Sequence, residues 1–105
     1  MVTLNINNVL NVTAEPVDAQ QCEASDTSFT VTANCSGTLS FQWQKSSDGG
    51  STFANESDAG VVSGTATNTL DISDVAGLDA NQYRCVVSVV GGADVTSSAA
   101  TLTVT

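Results

Sequence analysis

Apolar and polar residues alternate along this chain in short runs divided by turn residues, and no useful length carries helical periodicity. The clearest run is Thr27 to Cys35, where Phe29, Val31, Ala33 and Cys35 point one way and Ser28, Thr30, Thr32 and Asn34 the other. Ser36-Gly37 supplies a turn. Leu39, Phe41 and Trp43 then alternate inward on a strand ending near Lys45. Thr67 to Ser73 carries Leu70 and Ile72, and Gln82 to Val90 carries Tyr83, Cys85, Val87 and Val89. Val95 to Thr105 reads as one long strand with Ala100, Leu102 and Val104 inward, after a turn at Gly91-Gly92-Ala93-Asp94. The weaker signals fill the gaps. Val9 to Thr13 suits a first edge strand, and Pro16 suits an edge or a switch between sheets because it cannot donate to a ladder. Ser47-Asp48-Gly49-Gly50 is a hairpin signal, Asp-Gly being favoured in type I′ turns, and predicts a short returning strand over Ser51 to Phe53. Asn55 to Gly64 is polar and broken by glycine, a loop with room for one edge strand at Val61-Val62. The class is all-β.

The opening segment Thr3-Leu4-Asn5-Ile6-Asn7 runs parallel in sequence to the closing Thr101-Leu102-Thr103-Val104-Thr105. Residues 1–8 therefore read either as a first strand or as the tail of a preceding repeat, with Met1 an added start, and residues 9–105 as one domain. A length of 105 residues fits that single domain, and 41% hydrophobic content suffices for one core. The start lacks the basic end and apolar centre of a signal peptide, so the expectation is a removed signal or a fragment of something longer.

Charge narrows the partners. Eleven acidic residues against Lys45 and Arg84 give a net charge of −9. Nucleic acid needs clustered cations, and anionic lipid needs a basic surface, so neither is an expected partner. No stretch approaches the ~20 apolar residues of a membrane span. The chain has no His, which removes the commonest general base and metal ligand and leaves its serines without the usual activator. Three Cys without His make no structural zinc set. A carboxylate pair would need an aromatic-lined cleft, and the aromatic residues are too few to line one. No catalytic residue, cofactor or metal is expected. Asp48, Glu56 and Asp58 offer oxygen ligands of the kind Ca²⁺ prefers, but their spacing matches no calcium loop. Asn11-Val-Thr13, Asn34-Cys-Ser36 and Asn55-Glu-Ser57 match the N-glycosylation pattern, at a frequency expected by chance in so polar a chain.

The stretch Leu70-Asp-Ile-Ser-Asp-Val75-Ala-Gly-Leu-Asp79-Ala-Asn-Gln-Tyr83-Arg-Cys85 resembles the E strand, E–F corner and F strand of an immunoglobulin domain. Asn81 stands where that pattern usually has Gly, a change that Asn tolerates in the left-handed region. Cys22-Glu23-Ala24, Phe29-Thr-Val-Thr-Ala33, Phe41-Gln-Trp-Gln44, Asp48-Gly-Gly50, Tyr83-Arg-Cys85 and Ser98-Ala-Ala-Thr-Leu-Thr-Val104 are similar, in order and spacing, to the bacterial immunoglobulin-like repeats of secreted and cell-surface proteins. The resemblance implies a two-sheet antiparallel immunoglobulin-like β-sandwich with Greek-key connections, built on Val31, Trp43, Leu70, Ile72, Tyr83 and Cys85. Ala24 replaces a turn Gly, so the backbone there is expected to manage without a positive φ.

The resemblance also implies a disulfide beside Trp43, but the usual spacing before that Trp lands on Val31. Three cysteines allow one internal bond. Cys35 shares the inward face of its strand but lies four positions beyond Val31, roughly 13 Å at ~3.3 Å per residue, whereas a disulfide needs Cα atoms within ~7 Å. Cys22 enters from the same end as Cys85. Cys22–Cys85 is thus favoured over Cys35–Cys85, with no bond as the third outcome.

By resemblance the chain is a non-catalytic extracellular module, a spacer or adhesive repeat whose partners are neighbouring repeats of its parent chain. Two alternatives stand beside it. One is an accessory module binding glycan or a surface protein through its loops, a glycan being the harder case with so few free aromatics. The other is a decoration domain of a virion or filament.

Overall fold

The computed structural model describes residues 11–34, 38–90 and 94–105, and over these the chain forms strands and turns without a helix. The strands are β1 (Asn11–Ala14), β2 (Ala19–Gln21), β3 (Thr27–Thr30), β4 (Thr32–Asn34), β5 (Leu39–Ser46), β6 (Ala54–Asn55), β7 (Val62–Ser63), β8 (Thr69–Ile72), β9 (Gln82–Val89), β10 (Val95–Thr96) and β11 (Ala100–Val104). One layer holds β1 on β4 and, through the continuous run β3–Val31–β4, the ladder β3–β8–β7. The other is ordered β2–β11–β9–β5–β6, with β10 also on β9. All pairs are antiparallel except β2 with β11, which run parallel from Leu102 opposite Ala19 to Val104 opposite Gln21. The chain therefore changes layer between β1 and β2, and Pro16 lies buried at that crossing.

Alternation decides what lies between the layers. β9 buries Tyr83, Cys85, Val87 and Val89 and turns Arg84, Val86 and Ser88 outward. Trp43, fully buried, donates its indole Nε1–H to the Thr67 carbonyl at 2.7 Å. Val31, Leu70, Ile72, Tyr83 and Cys85 share that core, with Phe29, Val75, Ala100 and Leu102. The rings of Phe29 and Tyr83 stack across the layers at 5.3 Å between centroids. Burying a side chain the size of Leu70 contributes about 1.5–3 kcal/mol. Among the described residues no buried side-chain polar atom lacks a hydrogen-bond partner.

Several local expectations change. The strand over Thr27 to Cys35 divides at Val31, whose N–H turns to the Asn68 carbonyl at 2.9 Å, and Cys35 lies outside the described residues. The returning strand falls on Ala54–Asn55 rather than Ser51 to Phe53. The reason is the turn: the left-handed residues are Gly49 and Gly50, not Asp48, so Asp-Gly does not centre a two-residue hairpin. The final strand is broken over Ser97 to Ala99. There the buried Ser97 hydroxyl accepts the Cys85 N–H at 2.9 Å while its own N–H reaches the Cys85 carbonyl at 2.8 Å. The turn at Gly91-Gly92-Ala93 and the segment 1–10 lie outside the described residues.

Two left-handed residues are alanines. Ala24 has φ 66° and Ala80 has φ 68°. Ala24 thus takes the positive φ it was expected to avoid, and the left-handed residue at the corner is Ala80 rather than Asn81. Each occupies the third place of a closed turn. Ser25 N–H bonds to the Cys22 carbonyl at 3.2 Å, and Asn81 N–H to the Leu78 carbonyl at 3.2 Å. That place calls for φ > 0 in a type II turn and normally goes to Gly.

Candidate interaction face

The outward side chains of β5, β6 and β9 are linked into a polar surface. Residue pairing sets Gln44 opposite both Arg84 and Asn55, and Gln42 opposite Val86. Side chains then link across the strands. Gln44 Nε2–H donates to Asn55 Oδ1 at 2.9 Å, and Arg84 Nε–H donates to Gln44 Oε1 at 2.8 Å. The Arg84 guanidinium lies 3.9 Å from the centre of the Phe53 ring, a cation–π contact of about 0.5–1 kcal/mol at such a half-exposed site. Lys45 Nζ sits 3.9 Å from Glu56 Oε1, and Gln42 Nε2–H donates to the Glu56 carbonyl at 2.8 Å. The two cations thus lie on neighbouring strands but on opposite sides of the sheet, Arg84 outward beside Gln44 and Lys45 opposite the inward Tyr83.

Carboxylates organise the flanks of this face. Asp48 accepts from the Ser46 hydroxyl at 2.7 Å and from the Thr52 N–H at 3.0 Å, and the Thr52 hydroxyl bonds to its second oxygen. These donors, the Thr52 hydroxyl foremost, hold its carboxyl well below the usual carboxylate range. Asp58 accepts from the Thr65 hydroxyl at 2.6 Å and the Thr65 N–H at 2.9 Å, and its carboxyl is lowered for the same reason. The Thr65 carbonyl in turn accepts the Trp43 N–H at 2.9 Å, so Asp58 fixes the segment that crosses over the core indole. Asp48, Glu56 and Asp58 are each engaged locally and are not brought together. Among the described residues no group of three or more acids or cysteines could hold a metal ion, and no pocket opens.

The cysteines depart from the expected pairing. Cys22 and Cys85 are free thiols, one exposed in the turn after β2 and the other fully buried on β9. Strand register keeps them apart: Cys22 follows Gln21, which is level with Val104, whereas Cys85 is level with Ser97 at the other end of that segment. Burial pushes the Cys85 thiol up to about 11, which keeps it protonated and unreactive at neutral pH. Burial likewise raises the Tyr83 hydroxyl, which receives the Asn81 side-chain N–H at 3.4 Å. Of the glycosylation patterns, Asn55-Glu-Ser57 has both its Asn and its Ser exposed and described.

The core residues named from sequence meet around Trp43. The Arg84–Phe53 contact was not legible there, because it joins residues far apart in sequence through strand register, and the Asp58–Thr65 clasp was not, because it depends on the path of a polar loop. Phe53 gave the one faint signal, as an aromatic stranded beside the glycine turn.

The two ends of the described chain lie at opposite poles. Asn11 pairs with Asn34 beside the start of β5, whereas Thr105 N–H bonds to the Gln21 carbonyl at 2.9 Å, near the Leu78 to Asn81 corner.

The family model of the immunoglobulin I-set domain matches residues 10–104. No curated protein sequence matches the chain. Among solved structures, the titin M4 domain aligns with a TM-score of 0.72 at 22% identity, over 91% of this chain and 95% of that one. The N-terminal two-domain immunoglobulin module of the Drosophila receptor protein tyrosine phosphatase DLAR gives 0.72 at 22% identity, over 91% of this chain and 48% of that one. Tandem immunoglobulin repeats of Dlar give 0.75 at 20% identity, over 93% of this chain and 49% of that one. At these identities the likeness carries the fold.

Proposed function

The chain belongs to the immunoglobulin I-set domain family, and from that premise we propose that it is a non-catalytic extracellular module, one spacer or adhesive repeat of a larger secreted or cell-surface protein. The observation that carries this reading is the placement of Asn11 and Thr105, the ends of the described residues, at opposite poles of the sandwich. A module entered at one pole and left at the other lengthens a chain with each copy added. The parallel in sequence between residues 3–7 and 101–105 fits the same picture, with residues 1–8 as the tail of a preceding copy and a bacterial surface protein as the parent. The absence of His and the local engagement of Asp48, Glu56 and Asp58 argue against a catalytic role. Small-angle scattering of chains with one, two and three fused copies tests the reading. The maximum dimension is expected to grow by a constant step per copy, and a dimension that levels off at two copies would refute a spacer.

A second reading is favoured by one observation, the grouping of Arg84 and Phe53 with Gln44 and Asn55 on the outer β5–β9 face. In that reading the face binds an acidic or glycan-bearing surface protein. Glycan and protein arrays probed with the chain and with Arg84→Ala separate the two.

A further inference from the structure

Chance accounts for the number of Asn-X-Ser/Thr patterns in so polar a chain, and the fold then sorts them. Asn34-Cys-Ser36 leaves the described residues before its Ser. Asn11-Val-Thr13 lies within β1, where the Thr13 hydroxyl donates to the Thr32 carbonyl at 3.3 Å. Asn55-Glu-Ser57 differs from both. Asn55 ends the two-residue strand β6, and Asn55 and Ser57 are both exposed. Between them the Glu56 N–H bonds to the Trp43 carbonyl at 2.9 Å, which pins the backbone and leaves the two flanking side chains at the surface.

The surroundings of the Asn55 amide suit a sugar. Its Oδ1 accepts the Gln44 Nε2–H at 2.9 Å, which orients the side chain and leaves Nδ2 as its outer end. An N-linked sugar forms on Nδ2 and keeps Oδ1 an amide acceptor, so the bond from Gln44 survives the modification. Phe53 lies two positions earlier. Gln44 also accepts the Arg84 Nε–H at 2.8 Å, and the Arg84 guanidinium sits 3.9 Å from the centre of the Phe53 ring. These contacts place Phe53 and Asn55 on one outer face, roughly 7 Å apart at the rise of an extended chain. Trp43, Tyr83 and Phe29 are buried, whereas Phe53 stays half-exposed. Part of its ring is therefore an apolar platform beside the amide, matched to the C–H face of a first sugar.

We propose that Asn55 is a site of N-glycosylation, with the first sugar packed over Phe53. The donor is an oligosaccharide carried on a polyprenyl diphosphate. Asn55 Nδ2 attacks the anomeric carbon of that oligosaccharide. A C–N bond forms, the C–O bond to the diphosphate breaks, the diphosphate leaves with the electron pair, and the amide proton passes to a base of the transferase. Modification of this kind occurs on secreted chains, so it rests on the extracellular reading of this one and not on a bacterial parent. A hydrated sugar chain here covers Arg84 and Phe53 and screens the edge at β6. It makes the outer β5–β9 face a shielded surface rather than a docking surface, which suits a spacer.

The intact chain is sent through the secretory pathway of cultured animal cells behind a cleavable leader. Peptide mass mapping then follows, on material from medium and cells alike, with and without peptide N-glycosidase. A glycan is expected on Asn55, its enzymatic release leaving a carboxylate in place of the amide. Asn55→Gln and Ser57→Ala should each lose it, and Asn11→Gln should keep it. The platform has its own readout: release of the glycan should lower the melting temperature of the parent chain and leave that of Phe53→Ala unmoved. A chain bare at Asn55, or sugar found at Asn11 or Asn34 alone, overturns the proposal. Equal melting shifts in the parent and in Phe53→Ala overturn the packing on Phe53. Bare Asn55 in fused copies that still lengthen leaves the spacer reading standing, whereas glycosylated copies that fail to lengthen refute the spacer alone.

Discussion

Replacing Ala24 and Ala80 by glycine should stabilise the domain. Both residues sit at the third place of a closed turn with φ near the left-handed minimum, 66° and 68°. An L-residue with a Cβ pays roughly 1–2 kcal/mol to stay there. Glycine removes that strain but gives back about 0.4–1 kcal/mol through its freer unfolded chain. The difference is a gain of about 0.5–1 kcal/mol per site. For a domain of this size each kcal/mol moves the melting temperature by ~4–8 °C, so the double variant should melt about 4–16 °C higher if the sites act independently. The molecule supplies both controls. Gly77 occupies the same place in the turn closed by Leu78 N–H and the Val75 carbonyl, with φ 81° and open space where a Cβ would go. Gly77→Ala should therefore lose about as much as each alanine replacement gains. Ala66 holds the third place of the turn closed by Thr67 N–H and the Gly64 carbonyl, but without a positive φ. Ala66→Gly should destabilise through chain entropy alone. Urea and thermal unfolding followed by the fluorescence of Trp43, the single Trp, read the four single variants and the double. If Ala24→Gly and Ala80→Gly weaken the fold as Ala66→Gly does, left-handed strain is not what these turns store.

Three further outcomes are expected. Val31→Cys in a chain carrying Cys22→Ser should join the new thiol to Cys85 under oxidising conditions, adding about 2–4 kcal/mol; peptide mapping that finds Cys85 still free would show that the two buried positions do not face each other. The folded-state carboxyls of Asp48 and Asp58 lie below their unfolded values, so their contribution is complete above about pH 4 and is lost as pH falls through the folded values. Urea midpoints should drop between pH 5 and strong acid, and Asp58→Asn should flatten that drop; an unchanged acid slope refutes the clasp on Thr65. A double-mutant cycle of Arg84→Ala and Phe53→Ala should return a coupling of about 0.5–1 kcal/mol, and strict additivity would mean that the stacked pair does not persist in solution.

Residue order alone determined the class, the two inward-facing registers around Trp43 and the corner at Tyr83. Strand periodicity is a local property: each side chain's face follows from its neighbours two places away, so Leu70 and Ile72, or Tyr83 and Cys85, could be placed without knowing what lay opposite. What needed the folded chain were relations between distant segments. The change of layer that sets β2 parallel to β11, the separation of Cys22 from Cys85, and the meeting of Arg84 with Phe53 each depend on register across strands, which no short window of sequence contains. The left-handed residues belong to the same group. Turn chemistry pointed to Asn81, but closure of the corner by Leu78 and Leu102 put the positive φ on Ala80, because tertiary hydrogen bonds outweigh a local preference worth about 1 kcal/mol.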